Sequence, residues 1–210
     1  MIEFKGLQKK FGEITVIETE DVKLDSGIYW LQGPNGSGKT TLLRMVAGLL
    51  PFKGDILIDA ISQKKFPLEY RRLVSWADAE PIYPGFITGM ELVNFYRHVR
   101  KVKLMEVDPL IDLFRVRHFL NTPIGSYSSG MTKKLSLLLA FIGRPRMILL
   151  DEPLITLDQE TVPTVHDLIM DYSLKKNTDF LISSHQDFVE KIFSVEKKIL
   201  IADQTLHLLF

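Results

Sequence analysis

The segment Gly33-Pro34-Asn35-Gly36-Ser37-Gly38-Lys39-Thr40 constrains this chain more than any other feature, because it matches the phosphate-binding loop pattern in full. Ahead of it, Ile28 to Gln32 is a short apolar and aromatic run. Behind it, Leu42, Leu43, Val46, Ala47 and Leu50 recur at helical spacing from Thr40 to Leu50. Strand, loop and helix in that order are the context in which the pattern works. Glycines reach backbone conformations closed to other residues, so successive N–H groups turn inward on phosphate oxygens while the helix adds its positive end. In this pattern Lys39 reaches the β- and γ-phosphates, and the Thr40 hydroxyl ligates magnesium, with Thr41 beside it in the first helical turn. Phosphate contacts are therefore expected from Gly33 through Thr41. The competing reading, a glycine-rich turn without a ligand, leaves the complete pattern and both flanks unexplained.

The rest of the chain reads as an α/β fold around that loop. Met147 to Leu150 and Phe180 to Ile182 are short unbroken apolar runs, as expected of strands buried on both faces of a largely parallel sheet. Val162 to Leu174 reads as a crossover helix between them, and Ile2 to Phe4, Thr15 to Ile17 and Asp55 to Asp59 as an antiparallel, strand-rich N-terminal portion. From about Glu91 to Ile142 the spacing turns helical, with a break at Asn121 to Ser129. We expect a single domain over residues 1–210: a core from 1–90 and 143–210, and a helical subdomain inserted at about 91–142. Only a short tail is expected after His185, with no room for a further domain.

Composition narrows the partners. Lysine plus arginine and aspartate plus glutamate both number 26, so no global basic field draws the chain to nucleic acid. Cysteine is absent, which removes disulfides, thiolate metal ligands and a thiol nucleophile. The start MIEFKGLQKKFGE lacks the apolar stretch of a secretory signal, and the longest apolar runs fall short of the roughly 20 residues that span a bilayer. The expected location is the cytoplasm, and any place at a membrane requires another protein as anchor.

Two further segments carry chemistry. Asp151 and Glu152 directly follow Met147 to Leu150, which delivers two carboxylates to the end of a buried strand, the ligand edge of an open α/β sheet. Asp151 is expected to hold magnesium and Glu152 to orient or deprotonate the attacking water. Upstream lies Tyr127-Ser128-Ser129-Gly130-Met131, which in isolation is a helix N-cap and turn. In its place between the phosphate loop and the acidic strand it resembles the signature motif of ATP-binding cassette proteins, usually Leu-Ser-Gly-Gly-Gln. Ser128 and Gly130 match; Tyr127, Ser129 and Met131 depart.

The family's remaining elements follow in order over nearly the whole chain. Asp158 in Leu154 to Asp158 resembles the aspartate loop, and His185 in Ser183-Ser184-His185 the switch histidine that holds the γ-phosphate and attacking water in register. Phe11 resembles the aromatic residue on which adenine stacks, and equally suits a core position. Where the family carries a glutamine, before the helical subdomain, this chain reads Ser75-Trp76-Ala77-Asp78-Ala79-Glu80-Pro81-Ile82-Tyr83-Pro84. Asp78 aligns there directly and is the expected magnesium contact, while a one-residue deletion would put Ala79 there.

The resemblance implies an ATPase that binds ATP and Mg2+ and closes on a second cassette, identical or not, whose Ser128, Ser129 and Gly130 face the γ-phosphate bound by its partner. It implies attachment to a separate membrane-spanning transporter subunit at the inner face of the membrane, and the short chain, expected to lack a C-terminal extension, together with the Tyr-Ser-x-Gly-Met signature is most similar to exporter cassettes. Tyr83, Phe86 and Ile87 are candidates for a groove receiving that subunit, or equally for packing of the helical subdomain. The cluster Arg97, His98, Arg100, Lys101 and Lys103 suits a solvated helix face better than lipid headgroups. Competing readings are a soluble cassette ATPase without a membrane partner, another phosphate-loop protein such as a GTPase or small-molecule kinase, and a non-catalytic binding module. No Asn-Lys-x-Asp guanine motif supports the second. Retention of Lys39, Asp151, Glu152 and His185 argues against the third.

Overall fold

In a computed structural model of the chain, which describes residues 1–184 and 197–209, two sheets enclose the helix that follows the phosphate loop. The first is antiparallel and built from β1 (Ile2–Phe11), β2 (Ile14–Thr19), β3 (Val22–Leu24) and, after β4 (Ile28–Gln32) and helix α1 (Lys39–Val46), from β5 (Lys53–Ile58) and β6 (Ile61–Ser62). Its order is β2-β1-β5-β6, with β3 also paired to β1. Along β1, Ile2, Phe4 and Leu7 turn inward while Glu3 and Lys5 stay at the outer face, the alternation of a sheet covered on one side.

The second sheet follows α2 (Pro67–Leu73) with β7 (Val74–Ala77). After helices α3 (Gly89–Val99), α4 (Leu104–Leu113) and α5 (Ser129–Phe141) it continues with β8 (Met147–Asp151), α6 (Thr161–Lys176), β9 (Asp179–Ser183), β10 (Lys197–Ala202) and β11 (Thr205–Leu209). The order is β11-β10-β4-β9-β8-β7, and every pairing except β10 with β11 is parallel. Central strands alternate between two cores. Tyr29, Leu31, Met147, Leu149 and Leu181 face α1 and the antiparallel sheet, whereas Trp30, Ile148, Leu150, Phe180 and Ile182 face α5, α6 and the helical insert. This explains why these runs carry no polar residue: both faces are dry.

Helix α1 ends earlier than its apolar spacing predicts. Gly48 takes a left-handed conformation, its N–H donates to Met45 O at 3.0 Å and Leu49 N donates to Arg44 O at 2.9 Å, so the helix closes in a Schellman turn before Leu50. The tail also does more than expected. Residues 197–209 supply two strands, β10 pairing with β4, the strand that leads into the phosphate loop. Their turn, Asp203-Gln204, has both residues at positive φ, the backbone of a tight hairpin, without the glycine that usually signals one. In the insert, Thr88 and Glu91 exchange hydrogen bonds as a capping box at the start of α3, and the break before α5 holds a single 3-10 turn, Ile124–Ser126.

Candidate active site

The sheet order places β4 and β8 on either side of β9, so the phosphate loop and the acidic strand end open on one edge. Gly38, at φ 105°, is the residue before α1. That helix has neither a side-chain cap nor an acidic residue in its first turn, so its N-terminal N–H groups are not answered from within the side chains around them. Pro34, Asn35 and Gly36 are exposed at the loop tip, Ser37, Thr40 and Thr41 are half-buried, and Lys39 is buried. Lys39 Nζ donates to Gly33 O at 2.7 Å and Pro34 O at 3.1 Å. Burial lowers its pKa, and the nearby carboxylates of Glu152 and Asp151 work against that.

At the other wall, Asp151 and Glu152 are 1% and 7% exposed, so neither is the solvated turn that an acidic strand end usually is. Ser183, at the end of β9, donates to Asp151 Oδ1 at 2.5 Å and accepts from Glu152 N at 3.1 Å. Asp151 Oδ2 is buried without a hydrogen-bond partner, as is Ser37 Oγ. Such orphaned atoms are costly unless something completes them. Among the described residues no group of three or more carboxylates, histidines or cysteines could hold a metal alone. A magnesium ion here therefore fits only as part of a nucleotide complex, ligated by Asp151, Thr40 and phosphate oxygens, which is the mode that ion favours.

The segment Tyr127 to Met131 opens α5. Ser128 is its N-cap, accepting from Met131 N at 3.2 Å, and Ser128 and Ser129 are exposed. A Cβ on Gly130 would lie 3.0 Å from Thr156 O, so a side chain here would press on the loop after Glu152. The departures at Tyr127 and Met131 are absorbed by packing. Both side chains lie against the insert core, and the Tyr127 hydroxyl donates to Phe119 O at 2.8 Å. Asp158 pairs with Lys134 at 2.5 Å and accepts from Thr161 N and Oγ1 at the start of α6, which together hold its carboxyl down at about 2.

Phe11 is 49% exposed beyond the core, with Lys9 Nζ 4.5 Å above its ring, so the core alternative is removed. The carboxylate of Asp78 accepts from Arg44 Nη2 at 3.1 Å, one turn past Thr40 on α1. Tyr83 and Ile87 pack on the insert core, while Ile82 and Phe86 stand in solvent at 92% and 84% exposure. In the basic cluster, Arg100 turns inward, donating to Arg72 O, Val74 O and Ser75 Oγ. His185 lies outside the described residues.

Sequence reasoning did not single out Lys133. It is 1% exposed, and its Nζ donates to Asp78 O at 2.8 Å, Ala79 O at 3.2 Å and Asp151 O at 3.0 Å. Burial draws its pKa down to about 8, against the raising effect of Asp151, Asp78 and Glu152. The available signal was the run after it: Leu135 to Ile142 is apolar apart from one serine, so a helix buried on every side has little solvent to offer a lysine near its start.

A phosphate loop and a carboxylate pair on one edge of a mainly parallel sheet, with an antiparallel sheet on one side and a helical insert on the other, define a phosphate-loop NTPase of the cassette type. Comparison with known proteins makes the assignment specific. The ABC transporter family matches residues 21–155. The chain is 32% identical over 189 residues to the ABC transporter ATP-binding protein YtrB of Bacillus subtilis (strain 168), covering 89% of this chain and 64% of that protein. It is 33% identical over 162 residues to the cytochrome c biogenesis ATP-binding export protein CcmA of Legionella pneumophila (strain Lens), covering 77% of this chain and 80% of that protein. A solved ATP-binding subunit of an ABC transporter superposes with a TM-score of 0.89 at 22% identity, covering 98% of this chain and 88% of that one. A cassette solved as a dimer in a post-hydrolysis state with ADP and Pi superposes at 0.81 and 21% identity, covering 99% and 97%. The chain belongs to the ABC transporter family, as an ATP-binding subunit with an ATPase domain. Among the described residues no helix is long and apolar enough to cross a membrane.

Proposed function

We propose that the chain binds MgATP across Gly33 to Thr41, hydrolyses it with Glu152 as the base for the attacking water, and does so in a sandwich with a second cassette. The observation that carries this reading is the orphaned Asp151 Oδ2, buried beside Glu152 on a strand end that faces Lys39. Magnesium bound there by Asp151 and Thr40 would neutralise charge on the transferring phosphoryl group. Lys39 leaves its loop carbonyls for the β- and γ-phosphates, a strong charge-assisted contact. Ser183 orients Asp151 and holds the backbone of Glu152, while His185 is assigned the γ-phosphate contact by its family position. Asp78 contributes through its carbonyl and its ion pair more than as a magnesium ligand.

Ser128, Ser129 and Gly130 would complete the partner's site. In their support, Ser128 and Ser129 are exposed at a helix start, where donors and dipole favour an anion. The exposed Ile82 and Phe86 are the surface we assign to a membrane-spanning subunit, which would hold this chain at the inner face of the membrane. Export is the direction we favour, on the Tyr-Ser-x-Gly-Met signature and on the relative named an export protein.

Replacing Glu152 by Gln tests the assignment. The variant should bind ATP at parent affinity, hydrolyse it at least roughly 100-fold more slowly, and accumulate as a dimer in light scattering with MgATP. Parent turnover would remove Glu152 from the reaction.

A further inference from the structure

We propose that Lys133 is a positioning residue for ATP hydrolysis, fixing the peptide that joins Asp151 to Glu152 and thereby the setting of both carboxylates. The inference rests on the reading of those two residues as the hydrolytic pair.

Strands β7 and β8 stay in parallel register as far as Ala77 opposite Leu150, and no paired position follows. Strands that part in this way open the crevice in which an α/β sheet takes its ligand, and they leave backbone carbonyls without ladder partners. Lys133 enters at that point. Its ammonium has three donors and finds three carbonyls, two at the end of β7 and one at the end of β8. All three acceptors are main-chain atoms, so the contact is aimed at the path of the backbone.

The peptide unit between Asp151 and Glu152 is held at both of its polar atoms. Its C=O accepts from Lys133 at 3.0 Å, and its N–H donates to Ser183 Oγ at 3.1 Å. One anchor comes from α5 and the other from β9, on opposite sides of β8. The restraint has a reason. Glu152 sits at φ 45°, a left-handed conformation that a non-glycine residue keeps only when its surroundings impose it. A buried ammonium is expensive, and a lysine serving only to fill space could be replaced by an apolar chain of equal length without loss. Here the charge sits at the one peptide whose orientation decides where both carboxylates point. The same helix begins with Ser128 to Gly130, so the segment assigned to a partner's nucleotide and the peptide carrying this chain's own carboxylates share one rigid element.

The test compares Lys133→Met, which keeps length and loses all donors, with Lys133→Arg, which keeps charge and donors. Steady-state ATPase kinetics and binding of a fluorescent ATP analogue are measured on both, beside Glu152→Gln. Lys133→Met should lose about tenfold or more in kcat, the equivalent of about 1.4 kcal/mol of barrier, with KM and analogue affinity within about twofold of parent. Lys133→Arg should recover most of that loss. If Lys133→Met keeps parent kcat, or loses kcat and analogue affinity together, Lys133 only packs the fold and the proposal is wrong. Should Lys133→Met fail to bind the analogue for want of folding, Lys133→Gln is judged by the same split. Parent turnover by Glu152→Gln would instead overturn the reading on which the proposal stands, whatever Lys133 does.

Discussion

The two strand ends that meet at Lys133 are built differently. At the end of β8, Asp151 and Glu152 are buried, their shared peptide is held from two sides, and Ser183 fixes one carboxylate oxygen. At the end of β7, Asp78 is partly exposed and paired with an exposed Arg44, and the chain then runs to Ile82 and Phe86 in open solvent. Phosphoryl transfer gains most from charges that are preorganised in a dry site, so rigidity belongs at β8. A loop that leads into the helical lobe and to the surface proposed for a partner gains from being able to shift, and weak exposed contacts permit that. The contrast predicts that substitutions on the phosphate side change activity by orders of magnitude and those on the β7 side by small factors.

The largest effect should come from Lys39→Ala. Removing a charge-assisted contact to phosphate costs about 1.5–3 kcal/mol, so ATP affinity should fall roughly 10- to 100-fold in equilibrium titration. Because Lys39 is buried among loop carbonyls and next to two carboxylates, the free protein should melt near the parent temperature or above it: the substitution removes a desolvated charge. Unchanged affinity would mean that the loop amides alone hold the triphosphate, and the contrast would lose its strongest member.

Next is Ser183→Ala, which leaves Asp151 Oδ1 without its hydroxyl donor, while Glu152 N keeps its bond to Ser183 O at 3.2 Å. A buried polar group left unsatisfied costs about 1–3 kcal/mol, and a domain of this size loses about 2–4 °C in Tm for each kcal/mol. Thermal melting should therefore show a fall of several degrees, and kcat should drop about tenfold while ATP affinity holds. A parent Tm would show that Asp151 Oδ1 finds another donor.

How much of this was legible in the sequence follows from the range of each signal. The phosphate loop, β4, β8 and β9 are local patterns, and the structure places them as strand, loop and helix on one sheet edge. The α/β class and the helical insert followed from runs that a single window can see. Residues 197–209 escaped because Lys197 and Lys198 make an edge look like a solvated tail, and because Asp203-Gln204 turns without glycine. Lys133 and Ser183 escaped for a different reason: their nearest acidic partners lie 18 and 31 positions away, and the apolar run after Lys133 marks its helix as buried without naming what the ammonium reaches. Asp78 was found as an irregularity in a resemblance, but its pairing with Arg44 is a tertiary fact.

That pair gives the smallest predicted effect and the sharpest use of the contrast. Arg44 and Asp78 stand 3.1 Å apart with side chains 43% and 23% exposed, and pairs of that kind contribute about 0.2–1 kcal/mol, screened by salt. A double-mutant cycle on Arg44→Ala and Asp78→Ala should return a coupling energy in that range, falling further at high ionic strength. Asp78→Gln restores the side-chain type that the family resemblance leads one to expect and keeps the carbonyl that Lys133 uses. It should therefore change kcat by less than about threefold, since main-chain rather than side-chain oxygen ties this position to β8. A tenfold rise in kcat would show that the carboxylate, held one turn from Thr40, restrains hydrolysis in the native chain. The flexible side of the comparison would then be the side that sets the rate.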